Sequence, residues 1–289
     1  MTTKFLQAIK NQISLTQSDW ESFLQQAHKQ GASMTPRAFG QYKTSGGKTS
    51  YELLAQTLAP EHKKILDLAC GDAHLFQFIF KVNPEAVISG VDMSEGELAI
   101  ARQKYGNHSL VQLVQARAES VPLPSDSQDA LLCHMALMLM FPIDSVIKEM
   151  ERLLRPSGIL SGVVGGAAKE GEFILEIQKT LTRYLRNKYN VSQLPSTGDP
   201  RFRSQEGIAD LFTQTQFESP EFENIDLQVS GTIDEILNQW KEMYFVSVLP
   251  SSEQGELLQE IRNLLSEYQQ PNGIVNYSFP LLLFKTTRK

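Results

Sequence analysis

Two acidic residues, each near the end of an apolar run, are the side chains most able to do chemistry in this sequence. Asp67 lies in the run 65–68, which leads into the small residues 69–71, and Asp92 follows the run 87–91. Short apolar runs closed by tight turns are typical of buried parallel strands, whose carboxyl ends meet at the same edge of a sheet. The two carboxylates therefore predict a crevice for a ligand with an amine at one end and ribose hydroxyls at the other.

Strand and helix patterns alternate from residue 50 onward, which is typical of parallel βαβ units. The spacing predicts strands over 64–69, 87–92, 111–115, 130–134, 159–164, 223–229 and 277–285, and helices that include 75–82, 95–105 and 204–212. The last strand is the one expected to run antiparallel. The predicted fold class is α/β, with a doubly wound, Rossmann-like, seven-stranded and mostly parallel sheet. Such sheets bind ligands outside the carboxyl ends of their strands, where the strand order reverses.

A dinucleotide site is the main rival interpretation of this edge. It needs Gly-x-Gly-x-x-Gly after the first strand so that the backbone can approach a pyrophosphate, but residues 69–74 (ACGDAH) contain only the central glycine. A pyrophosphate would also meet the negative charges of Asp67 and Asp72, so the residues favour a cationic ligand. One further interpretation stays open, in which Asp67 and Asp92 only cap the helices that follow them.

Four segments together resemble the class I S-adenosylmethionine-dependent methyltransferases, over about residues 51–164. The segments are 66–71 (LDLACG), 90–94 (GVDMS), 117–124 (RAESVPLP) and 152–158 (RLLRPSG), in the order and spacing of the family. The resemblance implies S-adenosylmethionine as the cofactor. Asp67 would bond to the ammonium of its methionine part, directly or through water, Asp92 would accept hydrogen bonds from the ribose hydroxyls, and Met93 would pack on the adenine.

The resemblance also implies further contacts along the methionine part and at the adenine edge, from Ala69, Cys70, Gly71, Ala118 and Glu119. Two positions depart from the family pattern. Arg117 stands where the family often has an aspartate that accepts a hydrogen bond from the adenine amine, and Ala73 replaces a common glycine. The arginine puts the adenine contact at position 117 in doubt more than it does the identity of the cofactor.

His134, the last residue of the fourth predicted strand, is the candidate catalytic residue and a predicted cofactor contact. The resemblance places residues 133–138 at the reacting methyl group. A neutral imidazole can take a proton near physiological pH. Such a base is needed only when the methyl acceptor carries a proton that must leave. The alternative is a hydrogen-bonded wall residue. The nearby Met135, Met138 and Met140 could line an apolar acceptor pocket or belong to the core.

The composition of the chain argues against several classes of function. Its 289 residues carry a formal net charge of −6 and no basic tract, whereas nucleic acid and anionic membranes attract dense Lys and Arg; neither is an expected partner. Neither a signal peptide nor a membrane-spanning apolar run is predicted, and Cys70 and Cys133 lie far apart, so the cytoplasm is the expected location. The five histidines lack metal-ligand spacing, so no metal is expected.

The expected organisation is an N-terminal helical lid over 1–50 and a class I methyltransferase domain over 51–289 with helical cap segments near 170–200 and 234–270. Within the lid, residues 18–21 (SDWE) match a capping box with Ser18 at the helix start. The expected function is methyl transfer to a small organic acceptor. Two alternatives stay open, a non-catalytic regulatory protein that binds S-adenosylmethionine and a protein-directed methyltransferase. The acceptor, the methylated atom and the oligomeric state are left undetermined.

Overall fold

The computed structural model describes residues 4–11, 13, 16–30, 33–170, 172–192 and 198–289. Its strands are β1 (Lys64–Leu68), β2 (Val87–Asp92), β3 (Val111–Gln115), β4 (Gln128–His134), β5 (Leu154–Gly165), β6 (Glu221–Thr232) and β7 (Ile274–Thr287). Its α-helices are α1 (Lys4–Asn11), α2 (Gln17–Gln30), α3 (Met34–Phe39), α4 (Ser50–Ala55), α5 (Phe76–Val82), α6 (Glu95–Tyr105), α7 (Ile143–Leu153), α8 (Phe173–Tyr189), α9 (Gln205–Phe212), α10 (Ile233–Glu242), α11 (Tyr244–Ser247) and α12 (Ser251–Glu267). Short 3-10 helices lie at Leu137–Leu139 and Pro200–Arg203.

The strands form one sheet in the order β3-β2-β1-β4-β5-β7-β6. The strands β1 to β5 pair in parallel, and β7 pairs antiparallel with β5. The seven predicted strands and the mostly parallel sheet are therefore confirmed. Because the strand order reverses between β1 and β4, the switch point lies at the carboxyl ends of these two strands.

The central strands form because they can bury apolar side chains on both faces. Every residue of β4 is buried, and in β1 only Lys64 is exposed, which is the burial expected of a parallel sheet covered on both sides. β5 begins at Leu154, earlier than predicted. Leu154 pairs with Gln128, and the register then shifts before Ala130, so a segment expected to be a turn extends the strand instead.

The chain divides into two compact units. One consists of His28–Ala167, Thr197–Ile225 and Pro280–Lys289, and its core is a buried apolar cluster built on the sheet. The other consists of Met1–Ala27, Ala168–Ser196 and Asp226–Phe279. Within this second unit, the Tyr184 hydroxyl on α8 donates to Glu256 Oε2 on α12 over 2.8 Å.

The first boundary between these units follows residue 27, whereas the N-terminal segment predicted from the sequence ends at residue 50. Helices α3 and α4 thus belong to the unit that contains most of the sheet. The roles of the N-terminal segment as a lid and of residues 170–200 and 234–270 as a cap stay predictions.

The predicted helix start at Ser18 is wrong. α2 begins at Gln17, so Ser18 lies inside the helix and its carbonyl accepts a hydrogen bond from Ser22 Oγ over 2.7 Å. Thr16 and Asp19 form the reciprocal contact instead, in which the Asp19 N–H donates to Thr16 Oγ1 over 3.2 Å and the Thr16 hydroxyl donates to Asp19 Oδ2 over 2.7 Å. A shorter acid three residues after a threonine replaces the serine and glutamate of the expected box.

Candidate active site

The carboxyl ends of β1, β2 and β4 bring Asp67, Asp92 and His134 to one edge of the sheet. Asp67 pairs with Gly90 on one side and with Leu132 on the other. Side chains alternate along a strand, so His134, two residues after Leu132, shares the face of Asp67. The strand spacing and rise place the Cα atoms of Asp67 and His134 roughly 8 Å apart. The two side chains therefore flank the switch point.

The turn after β1 is tight and is tied to the end of β2. Three of its residues have positive φ angles: Ala69 (58°), Gly71 (53°) and Ala73 (63°). The Cys70 N–H donates to the Val91 carbonyl over 3.0 Å, and the Gly71 N–H donates to Asp92 Oδ2 over 2.8 Å. A Cβ atom disfavours the left-handed region, so the two alanines are strained. Strain of this kind is often found at ligand sites.

Asp92 joins two turns through both of its carboxylate oxygens. Oδ2 accepts from the Gly71 N–H, and Oδ1 accepts from the Ser94 N–H over 2.8 Å. A carboxylate has about four acceptor positions, so ribose hydroxyls and these amides can share it. The alternative in which both acids only cap helices is wrong, because the N-cap residue of α5 is Leu75 and that of α6 is Ser94.

Asp67 is a buried acid with one unpaired oxygen. The residue is 2% exposed, and its Oδ2 atom has no hydrogen-bond partner in the described part of the chain. Burial, together with the charges of Asp92 and Asp72, raises the pKa of Asp67 well above its usual value. An unsatisfied buried carboxylate costs free energy. Its oxygen is therefore a position at which a cationic hydrogen-bond donor would bind favourably.

Two further buried acids lie in and beside this turn. Asp72 entered the sequence interpretation only as a charge that disfavours a pyrophosphate, and Glu97 had no role in it. Burial favours a higher pKa for Asp72, but hydrogen bonds from Lys104 Nζ (2.7 Å) and Ser33 Oγ (2.6 Å) hold it below the usual value. The Ser33 N–H donates to both carboxylate oxygens of Glu97, over 3.0 and 3.1 Å. The sequence held one signal that Glu97 has a structural role, because the spacing Ser94-x-x-Glu97 matches a capping box. The Ser94 N–H is bound by Asp92, and Glu97 binds Ser33.

His134 lies in a cluster with Ser50, Tyr51 and His74. Its Nε2 atom is 2.9 Å from Ser50 Oγ, and its ring stacks on Tyr51 with 3.7 Å between centroids and 18° between planes. Its Nδ1 atom is buried without a partner among the described residues. Burial, assisted by His74, lowers the pKa of His134 to about 3. The imidazole is therefore neutral at physiological pH and is a weak proton acceptor.

The remaining predicted cofactor contacts lie at the ends of β2 and β3. Met93 is half-buried and directly follows β2, and its carbonyl accepts a hydrogen bond from Gln115 Nε2 over 3.2 Å. Ala118 and Glu119 lie in the turn after β3, where Arg117 Nε donates to Glu119 Oε1 over 2.5 Å. Arg117, which stands where the family often has an aspartate, thus forms an ion pair with Glu119, a predicted cofactor contact.

The site is built from carboxylates, imidazoles, hydroxyls and backbone amides. Among the residues that the structure describes, no group of three or more His, Cys, Asp or Glu could hold a metal ion. Over the same residues, no helix combines the length and apolar character that crossing a membrane requires. Cys70 and Cys133 are both buried and free, and burial raises the pKa of each thiol.

The family described as "Methyltransferase domain" matches residues 66–161, from β1 into β5. This segment is similar to a methyltransferase domain. It includes Asp67, Asp92 and His134, and the family resemblance stated from the sequence is confirmed. The matched segment contains the switch point and both strand ends that carry the acids.

Two bacterial relatives match part of the chain. The chain is 31% identical over 115 residues to the malonyl-[acyl-carrier protein] O-methyltransferase of Methylococcus capsulatus, which is 40% of this chain and 42% of that protein. It is 34% identical over 100 residues to the demethylmenaquinone methyltransferase of Geobacillus stearothermophilus, which is 34% of this chain and 43% of that protein. The match thus spans less than half the length of these curated relatives.

A solved structure shows the same fold over most of this chain. The YcgJ protein of Bacillus subtilis superposes with a TM-score of 0.56 at 17% identity and covers 83% of this chain and 98% of its own. At this identity the likeness concerns the fold alone. It confirms the predicted Rossmann-like class.

Proposed function

We propose that the protein is an S-adenosylmethionine-dependent methyltransferase that acts on a small organic acceptor. The observation that carries this proposal is the Asp67 carboxylate, which is buried at the switch point with Oδ2 unpaired. The ammonium of the cofactor's methionine part supplies both the hydrogen-bond donor and the positive charge that this oxygen lacks. A pyrophosphate at the same place would add negative charge beside Asp67, Asp72 and Asp92.

The residues present fit the cofactor. Asp67 would hold the ammonium, and Asp92 would hold the ribose hydroxyls. The other residues that would line the cofactor are Ala69, Cys70, Gly71, Met93, Ala118 and Glu119. When bound, S-adenosylmethionine supplies an activated methyl group for in-line transfer to an acceptor atom. The protein's own residues then have to orient both molecules and exclude water.

His134 was predicted from the sequence both as a general base and as a cofactor contact. The low pKa favours the contact, because a base with a pKa of about 3 takes a proton poorly at neutral pH. We therefore assign His134 a hydrogen-bonding role, and the general-base role stays a prediction. On this proposal the acceptor presents its nucleophilic atom already deprotonated or loses its proton to water.

The acceptor class is supported by the relatives and by the charge of the chain. The names of the relatives identify demethylmenaquinone and a malonyl group on an acyl-carrier protein as their acceptors. Both methylated groups are organic, and the formal net charge of −6 disfavours nucleic acid. A cytoplasmic location stays a prediction.

Incubation with methyl-labelled S-adenosylmethionine and a broad metabolite extract tests this proposal. We expect the label in a low-molecular-weight product and, at a cofactor concentration near the wild-type dissociation constant, far less labelled product with the Asp67→Asn variant. Label on protein would indicate a protein-directed enzyme. Normal binding of S-adenosylhomocysteine with no labelled product in any extract would favour the regulatory binding protein.

The ribose assignment of Asp92 can be tested with a ligand that lacks one hydroxyl. For the wild-type protein, we expect 2′-deoxy-S-adenosylhomocysteine to bind roughly tenfold or more weakly than S-adenosylhomocysteine, as for the loss of a hydrogen bond to a charged group. For Asp92→Ala, the two ligands should bind alike. Calorimetry on all four combinations separates the direct contact from a general loss of order after the Gly71 and Ser94 bonds are removed. An undiminished difference between the ligands in the variant would exclude the contact.

A further inference from the structure

Four buried polar atoms that have no hydrogen-bond partner within the described ranges of the chain lie around Tyr51. They are Asp67 Oδ2, Asp72 Oδ1, His74 Nε2 and His134 Nδ1. The His134 ring stacks on Tyr51, the His74 ring meets it edge-on at 4.7 Å between centroids, and both aspartates are close enough to raise the pKa of the Tyr51 hydroxyl, after the larger effect of burial. Buried polar atoms are nearly always paired in folded proteins, so a cluster of four indicates a ligand with several polar groups.

The chemistry of these atoms separates into two halves. The carboxylate oxygens of Asp67 and Asp72 can pair only with donors when ionised, and the ammonium of the cofactor supplies them. A neutral imidazole has one N–H and one acceptor nitrogen. The Ser50 hydroxyl can donate to His134 Nε2, with which it is in contact over 2.9 Å. In that tautomer, His134 Nδ1 carries the hydrogen and requires an acceptor.

His74 contributes a second buried nitrogen, Nε2, which can carry the hydrogen of a neutral imidazole. It lies in the turn after β1, and burial lowers its pKa, so it is neutral at physiological pH. A Cβ atom at Gly40 would lie 3.1 Å from His74 Nε2, so a glycine at this position avoids a close contact with that nitrogen. The two imidazole nitrogens still require an acceptor, whereas the nearby carboxylates require a cation. A ligand that satisfies both carries an anionic acceptor attached to a cationic group.

We propose that His74 Nε2 and His134 Nδ1 donate hydrogen bonds to the carboxylate of the cofactor's methionine part. Together with Asp67 they recognise a zwitterionic amino-acid end. This inference rests on the proposed function. Neutral donors suit this position because an arginine or lysine would form an ion pair with Asp67 or Asp72 and compete with the ammonium for these carboxylates.

Crossed substitutions test the two nitrogens separately. The polar atoms of an asparagine side chain lie near the position of Nδ1 in histidine, and those of glutamine lie near the position of Nε2. At residue 74, His74→Gln therefore keeps the proposed donor and His74→Asn removes it. At residue 134 the pair is reversed, since His134→Asn keeps the proposed donor and His134→Gln keeps only the bond to Ser50.

Each variant is titrated by calorimetry with S-adenosylhomocysteine and with its decarboxylated analogue, S-adenosyl-3-thiopropylamine, which retains the amine. We expect His74→Asn and His134→Gln to bind S-adenosylhomocysteine about tenfold or more weakly than wild type, and the donor-keeping variants to stay within about threefold. The analogue should bind all five proteins similarly. A folding defect alone would not follow this crossed pattern.

Three results would overturn the inference. Wild-type protein could bind the analogue as tightly as S-adenosylhomocysteine, or the four variants could weaken both ligands equally; in either case the proposed function would stand without the carboxylate contact. If wild-type protein bound neither ligand, the proposed function would fail together with this inference.

Discussion

Replacing Asp67 with Asn is expected to weaken the binding of S-adenosylhomocysteine about a hundredfold, the scale of breaking a buried, charged hydrogen-bond pair. The unliganded variant should be at least as stable as wild type. The carboxylate is buried with Oδ2 unpaired, so the substitution removes a cost to the folded state and a contact to the ligand. Calorimetry measures the first effect and thermal unfolding without ligand measures the second.

The pH dependence of both effects follows from the raised pKa of Asp67. A raised pKa means that the folded state binds this proton more tightly than the unfolded state does. The contribution of Asp67 to the free energy of unfolding is therefore present at low pH and is lost as the pH rises through the folded-state pKa. Ligand binding has the opposite dependence. The ammonium favours the ionised acid, so binding releases a proton and the affinity increases with pH over the same range.

Calorimetric titrations in buffers of different ionisation enthalpy detect this proton release. We expect a buffer-dependent heat for wild type that is reduced in Asp67→Asn. Equal affinities and equal proton release in the two proteins would remove Asp67 from the ligand site.

Replacing Gly90 with Ala is expected to destabilise the fold by about 2–3 kcal/mol, as for overpacking of a core. A Cβ atom there would lie 2.6 Å from Phe76 Cζ, 2.9 Å from Leu113 Cδ2 and 3.0 Å from Cys70 Sγ. Phe76, at the start of α5, and Cys70 are buried, so neither side chain can move into solvent without opening the core, although the half-buried Leu113 can adjust. Urea unfolding measures the loss.

Gly165 is the matched control in the same sheet. It ends β5, and a Cβ atom there meets nothing within 4 Å, so Gly165→Ala should change the stability by no more than about 0.5 kcal/mol. If the two alanine variants unfolded at the same urea concentration, the close packing of β2 against the turn after β1 would be contradicted.

The strands were predictable because their burial leaves a direct trace in the chain. Continuous apolar runs produced β1, β2 and β4, and the bounds of β2 and α6 agree with the prediction to the residue. The position of the site also followed, since the carboxyl ends of parallel strands share one edge. Ser157 shows where this reasoning stops. Ser157 has a φ of 64°. The segment 155–158 extends β5, although the proline and glycine in this segment are typical of a turn.

Contacts between residues far apart in the chain could not be read from local patterns. Ser33 binds Glu97 and Asp72, and Ser50 binds His134. Each contact depends on how residues 33 and 50 pack against distant parts of the chain, and no periodic pattern in the sequence indicates that packing. The burial that lowers the pKa of His134 is likewise a tertiary property, and for that reason the sequence left both a general base and a hydrogen-bonded wall residue open at this position.

The central claim is that the acidic strand ends select an adenosyl amino acid over a diphosphate nucleotide. Parallel calorimetric titrations of the wild-type chain with S-adenosylhomocysteine and with NAD test it most directly. The account predicts saturable binding of S-adenosylhomocysteine in the micromolar range and no measurable heat with NAD. Saturable binding of NAD, with none of S-adenosylhomocysteine, would contradict it.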